Sequence, residues 1–308
     1  VTHARAALVY NPRAGRVLRN RSKFDEALLI LREAWPEIRL VETTGPRTAG
    51  PLARNAVDEG ANLVIVCGGD GTINEVVQSM SGTEVPVGIL PGGTACVLAN
   101  EIGLGNDMVR AARLLTGSEP YDVATGVLRQ GESATAFLLM AGIGFDALLV
   151  HGLNTATKEK WGKLAYWWAA VREIGRRLDR FEVVVDGVAM PSTFTLVSRV
   201  RNYGGDVEIA RGASLLSDDL ELVIFETTSV VRLAWLLATS VLTRTLHRRR
   251  DVRVMKARKV EASAKGVPVH VQVDGEAAGV LPATIEVAPA AIRLMLPPAF
   301  LAAERARR

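Results

Sequence analysis

The residues most able to do chemistry sit where an apolar run, Leu63-Val64-Ile65-Val66-Cys67, breaks into Gly68-Gly69-Asp70-Gly71-Thr72-Ile73-Asn74. Glycines let a backbone approach a polyphosphate with no Cβ in the way, and the amides that open a helix point a positive dipole at negative charge. Thr72 is expected to cap that helix. Glycines alone serve any tight turn. Asp70 adds something further, because a carboxylate beside phosphates is repelled by them unless it holds Mg²⁺ or takes up a proton in the reaction. The pattern therefore points to phosphoryl transfer.

Three more loops offer small residues, amides or hydroxyls after strand-like runs: Asn11-Pro12-Arg13-Ala14-Gly15, Thr43-Thr44 and Pro91-Gly92-Gly93-Thr94-Ala95. Each alone reads as an ordinary turn. Together, at the carboxyl ends of parallel strands, they can line one nucleotide crevice. Other nucleotide signatures are missing: there is no G-x-x-x-x-G-K-[ST], no complete G-x-G-x-x-G after the first strand and no protein-kinase set. The four histidines, at 3, 151, 247 and 270, have no zinc-ligand spacing.

The elements that must position these loops follow from periodicity. Short apolar strands at 6–10, 38–42, 63–67 and 85–90 alternate with helical patterns near 22–34, 50–59, from 72, 94–102 and 107–116. That rhythm predicts an α/β domain with a mostly parallel sheet. Beyond Asp122, strand-like segments at 124–128, 136–140, 181–185, 192–200, 220–225, 267–273 and 284–287 predict a β-rich, sandwich-like second domain. Helical stretches near 158–178 and 230–247 interrupt it. The expected division is 1–122, 123–295 and a tail, 296–308, able to return to the first domain, with a cleft between two lobes.

Composition sets bounds on partners. A balance of 37 Lys and Arg against 33 Asp and Glu, +4 overall, is too mild to indicate nucleic acid. Cys67 and Cys96 show no disulfide or metal spacing, which favours a reducing compartment. The chain runs from Thr2 straight into a strand with no room for a signal peptide, and no apolar stretch reaches the roughly 20 residues of a bilayer span. A cytoplasmic protein touching a membrane only peripherally is expected. Two segments could make that contact: 158–178, with Trp161 and Trp168 among Lys158, Lys160, Lys163, Arg172, Arg176 and Arg177, and the basic run from Arg244 to Lys259. Either could equally be a packed stripe or a solvated face.

The glycine-aspartate turn, with Asn11 to Gly15 upstream and Gly88-Ile89-Leu90-Pro91-Gly92-Gly93-Thr94 downstream, resembles the catalytic domain of the diacylglycerol and sphingosine kinase family, especially its bacterial soluble lipid kinases. Met140-Ala141-Gly142-Ile143-Gly144-Phe145-Asp146, Asn202-Tyr203-Gly204-Gly205 and Gln272-Val273-Asp274-Gly275-Glu276 continue the likeness in order over nearly the whole chain. The resemblance implies a two-domain NAD-kinase/diacylglycerol-kinase-like architecture. It implies ATP on Asn11, Pro12, Arg13, Ala14, Gly15, Thr43, Thr44, Gly68 to Asn74 and Thr94, with the γ-phosphate passing to the hydroxyl of a lipid such as diacylglycerol at the inner face of the membrane.

In the family, catalysis or Mg²⁺ binding is assigned to the residue that is Asp70 here, and proton acceptance to the one that is Glu276. Which takes the hydroxyl proton stays open, since either carboxylate could. Asp146 is implied in recognising the lipid head, although it could also cap a helix. Family members often carry an Asp-Asp-Gly-like structural Mg²⁺ motif, and the chain departs from it, reading Leu215-Leu216-Ser217-Asp218-Asp219-Leu220, with Asp218 as the candidate ligand. The chain departs from the family at Ala95 to Asn100, where many relatives carry Asn-Asp. An NAD kinase, or a lipid-binding protein without turnover, are the competing functions; a homodimer is compatible with either.

Overall fold

The computed structural model describes residues 5–94, 96–145, 147, 177–203, 207–243, 246 and 249–307. Two compact units are formed, one from Val1–Thr125 with Pro289–Arg308 and the other from Gly126–Ala288. The fold class matches the expectation: an α/β unit with a mostly parallel sheet and a β-rich sandwich.

In the first unit, strands β1 (Ala6–Tyr10), β2 (Arg39–Glu42), β3 (Leu63–Gly68) and β4 (Val87–Pro91) lie parallel in the order β2-β1-β3-β4. Leu8 is in register with Ile65, and Ile65 with Gly88. The end of the chain's last strand adds to β4 through Leu294 beside Val87, also in parallel. β1, β3 and β4 are buried along their whole length, which is why they read as unbroken apolar runs rather than alternating ones.

Helices α1 (Gly15–Arg19), α2 (Arg21–Ala34), α3 (Ala49–Asp58), α4 (Asp70–Met80), α5 (Val97–Glu101) and α6 (Met108–Thr116) make the crossovers. α6 begins where Asp107 accepts the N–H groups of Val109 and Arg110, both at 3.0 Å, as its N-cap. α4 starts earlier than expected. Its cap is Gly69, in extended conformation, and Thr72 lies within the first turn without capping it.

The second unit contains β5 (Glu119–Gln130) and β6 (Ser133–Phe137), β7 (Met140–Gly144), β8 (Phe181–Val185), β9 (Val188–Ser192), β10 (Phe194–Ser198), β11 (Asn202–Tyr203), β12 (Val207–Glu208) and β13 (Leu220–Phe225). Helix α7 (Val230–Thr243), β14 (Val252–Ala257), β15 (Lys259–Ser263), β16 (His270–Val273), β17 (Glu276–Val280) and β18 (Ala283–Leu296) follow, and α8 (Pro298–Arg307) closes the chain in the first unit. β5 and β18 carry the chain from one unit to the other.

One sheet of the sandwich is antiparallel in the order β14-β13-β10-β7-β16-β17, and the other contains β18-β15-β8-β9 with the β5–β6 hairpin. Phe137, Ile143, Val183, Val197, Leu222, Val260, Val271 and Ile285 fill the core. The run expected as one strand over 136–140 is two, broken at Leu138-Leu139. No helix among the described residues is long and apolar enough to cross a membrane.

Candidate active site

The loops singled out in the first unit meet at the carboxyl edge of its parallel sheet. Asn11 donates its N–H to Cys67 O at 2.9 Å, tying the β1 loop to β3. Gly92 and Gly93 both donate to Gly68 O at 2.9 Å, and Arg16 N to Gly92 O at 2.8 Å. Thr43 donates to Tyr10 O at 2.9 Å, which fixes the end of β2 beside β1. The glycines are needed for this closeness: a Cβ on Gly68 would stand 2.5 Å from Thr72 Cβ, and one on Gly92 only 3.0 Å from Gly68 N.

Within the first loop, Asn11 Oδ1 accepts Arg13 N–H at 2.9 Å, and Ala14 N–H goes to Asn11 O at 3.0 Å. These bonds make a compact turn that delivers Gly15 to the start of α1. Pro12 is half-buried, Ala14 is buried, and Arg13 and Thr44 are exposed. Ile73 faces the core, so it can offer a ligand only its main chain. Asn74 is buried with Oδ1 lacking a partner, an acceptor still open inside the first turns of α4.

Asp70 is held firmly. Its oxygens accept Val97 N–H at 2.9 and 3.1 Å, and the Leu98 N–H and the Cys96 thiol, close by, favour its charged form. It thus caps α5 from a distance in sequence. Burial pushes its pKa above the ordinary carboxylate value, and those three donors oppose the shift. A carboxylate offers about four lone-pair directions, and the single N–H of Val97 shared between its oxygens leaves Asp70 room for a further ligand. Among the described residues no group of three or more His, Cys, Asp or Glu could hold a metal. A single carboxylate suits Mg²⁺, which keeps most of its shell as water and substrate phosphate.

Three supporting side chains were not expected. Arg16 donates Nε to Gly93 O at 2.6 Å and Nη2 to Thr94 O at 2.8 Å, while Arg19 reaches Gly15 O at 2.8 Å and Thr94 Oγ1 at 3.0 Å. Arg16 and Arg19, three residues apart, lie on one side of the short helix α1. Glu75 accepts the N–H groups of Arg47 at 2.8 Å and Ala49 at 2.9 Å, holding the loop that follows Thr43-Thr44 at the start of α3.

In the second unit, Asp274-Gly275 is the two-residue turn of the β16–β17 hairpin, both at positive φ, with Val273 opposite Glu276. The Asp274 carboxylate accepts Leu138 N–H at 3.1 Å, Leu139 N–H at 3.0 Å and Met140 N–H at 2.8 Å. It organises the turn between β6 and β7 and leaves the exposed Glu276 as the outward acid of the hairpin. Asp146, Gly204-Gly205 and the stretch 158–176 lie outside the described residues, as do Arg244 and Arg248. In the rest of the basic run, Arg249 and Arg250 precede β14, Arg253 and Lys256 lie on it, Arg258 joins it to β15 and Lys259 opens β15; Arg253 pairs with Glu226, Arg258 with Asp219 and Lys259 with Glu261.

Residues 5–127 match the diacylglycerol kinase catalytic domain, and residues 140–296 match the YegS C-terminal NAD kinase beta sandwich-like domain. The chain belongs to this family of diacylglycerol kinase-like lipid kinases. It is 29% identical to a diacylglycerol kinase of Mycobacterium tuberculosis over 84% of this chain and 85% of that one. With the diacylglycerol kinase of Bacillus subtilis it shares 25% over 90% and 91%. The solved structure of a diacylglycerol kinase from Bacillus anthracis superimposes with a TM-score of 0.78 at 20% identity, covering 97% of this chain and 99% of that one, a likeness of fold.

Proposed function

We propose that this protein is an ATP-dependent lipid kinase that transfers the γ-phosphate of ATP to a lipid hydroxyl, with diacylglycerol as the acceptor. The observation that carries the reading is the meeting of the 11–15, 68–74 and 91–94 loops around one pinned carboxylate at the sheet's carboxyl edge. Backbone amides of Gly69 to Thr72, at the start of α4, favour the phosphates. Asn11 to Gly15, Thr43, Thr44, Gly68 to Asn74 and Thr94 are the nucleotide contacts. Arg16 and Arg19 hold the Thr94 loop in shape.

Mg²⁺, when bound, offsets charge on the transferring phosphoryl group, and Asp70 is the residue that would hold it. Asp70 and Glu276 are the two candidates to accept the hydroxyl proton. Asp70 sits in the phosphate turn; Glu276 is exposed and needs no displacement of neighbours to meet a substrate. Asp146 is proposed to recognise the lipid head, and the protein to work in the cytoplasm at the inner face of the membrane. The domain roles proposed are nucleotide binding by 1–122 and lipid binding by 123–295.

The test is to incubate the protein with Mg-ATP and a total lipid extract and to identify new phospholipids by mass spectrometry. Phosphatidic acid is the expected product. Phosphorylation of NAD with no lipid product would put the NAD-kinase alternative in its place.

A further inference from the structure

Arg199 follows β10 and is completely shielded from solvent. A buried cation is costly unless it is well partnered. Its partners come from one loop: Nη1 donates to Ser217 O at 2.8 Å and Asp219 O at 3.0 Å, and Nη2 to Leu215 O at 2.9 Å. Burial lowers its pKa to about 10, and the charges of Asp218 and Asp219 work against the fall, so it stays cationic at neutral pH.

The loop is shaped around this side chain. Ser214 Oγ accepts Leu216 N–H at 3.2 Å, Ser217 Oγ accepts Asp219 N–H at 3.2 Å, and Ser217 N–H reaches Ser214 O at 3.1 Å. These turns make the carbonyls of alternate residues, 215, 217 and 219, face one guanidinium, two of them on Nη1 and one on Nη2. Oxygen atoms converging from a loop, with carboxylates close by, are how a protein holds a hard cation. Here the space that these oxygens face is filled by a guanidinium. The expectation of a structural Mg²⁺ on Asp218 therefore does not fit these residues.

We infer that Arg199 is a built-in cation that holds the 215–219 loop in place of a metal ion, and that a metal site arises there only when the guanidinium is removed. The inference concerns how this loop is held and stands apart from the proposed transfer reaction.

It is tested with the full chain, without nucleotide, by metal analysis and by thermal melts in EDTA, Mg²⁺ and Ca²⁺. The wild type should carry no stoichiometric metal and melt at the same temperature in EDTA. Arg199→Met fills the space without charge or donors, so its melting point should fall by several degrees in every buffer. Arg199→Ala leaves the three carbonyls facing a cavity, so Ca²⁺ should raise its melting point where it leaves the wild type unmoved. Arg199→Lys, with a cation but no fork, should fall between wild type and Arg199→Met.

Stoichiometric metal in the wild type, or a melting point that drops in EDTA, would overturn the inference, and both readings hold even if the Met and Ala variants do not fold. Wild-type melting in Arg199→Met, or no response of a folded Arg199→Ala to Ca²⁺, would equally count against it.

Discussion

Asp70 takes the Val97 N–H between its two carboxylate oxygens, at 2.9 and 3.1 Å, across 27 positions of sequence. One side chain thereby locks the glycine turn after β3 to the first turn of α5. It serves fold and site together, and the two roles can be separated. Asp70→Asn keeps an acceptor for Val97 but cannot take a proton or hold Mg²⁺ strongly. Lipid phosphorylation should drop by about 100-fold or more, while the melting point moves by no more than a few degrees.

A pH profile follows from the same site. If Asp70 acts ionised, its raised pKa means kcat/KM falls as pH drops through a value above the usual carboxylate range. The Cys96 thiol is one of the donors pulling that pKa down. Cys96→Ala should therefore move the acidic limb to higher pH, and a limb that moves to lower pH would contradict this role for the thiol.

Gly68 is a packing requirement. Any Cβ there meets Thr72 Cβ at 2.5 Å, and because that atom is fixed to the backbone, the first turn of α4 must shift. Gly68→Ala should cost about 1–3 kcal/mol by overpacking and raise the KM for ATP. Calorimetry and steady-state kinetics would check both effects.

Asp274 receives three backbone N–H groups and sits at φ 48°. Asp274→Ala leaves those donors without an acceptor and strains a left-handed residue, at a loss of about 3 kcal/mol or more. Asp274→Asn tolerates the conformation and restores part of the bonding, so denaturant melts should rank it between wild type and alanine. Glu276→Gln, at an exposed position, should change stability by less than about 0.5 kcal/mol, so any large loss of turnover there reports on chemistry.

Glu221 is buried, and burial lifts its pKa from 4.5 to about 7, against the pull of Lys256 and the Gly212 N–H. Its Oε2 has no hydrogen-bond partner among the described residues. Between these two values the unfolded chain releases the proton and the folded chain keeps it, so stability falls as pH rises from 4.5 to 7 and stays reduced above. Glu221→Gln should abolish that loss. It should stabilise the protein by up to ~3 kcal/mol at pH 8 and hardly at pH 4.5, as measured by denaturant melts at the two pH values.

The sequence made the strand order of chemistry plain because β1, β3 and β4 are buried on both faces and end in glycine, asparagine or proline turns. The Asp-Gly hairpin was equally legible, since its residue types dictate the turn. Contacts that join distant segments were not. Nothing local in Val97-Leu98-Ala99-Asn100 announces a cap supplied by Asp70, and nothing in Leu138-Leu139 announces a break held by Asp274. β14 and β15 were obscured because their exposed faces carry Arg253, Lys256 and Lys259, which read as a charge run until alternate Val260 and Ala262 are seen to be buried. Arg199 was overlooked for a related reason: its type suggests a surface residue, and only the loop around it makes it interior.

The most direct measurement is transfer of label from γ-labelled ATP to purified diacylglycerol in mixed micelles, run side by side for wild type, Asp70→Asn and Glu276→Gln. Labelled phosphatidic acid with the wild type, and little with folded Asp70→Asn, is the predicted result. Equal labelling by wild type and Asp70→Asn, or no label in any lipid while ATP binding is intact, would contradict the account.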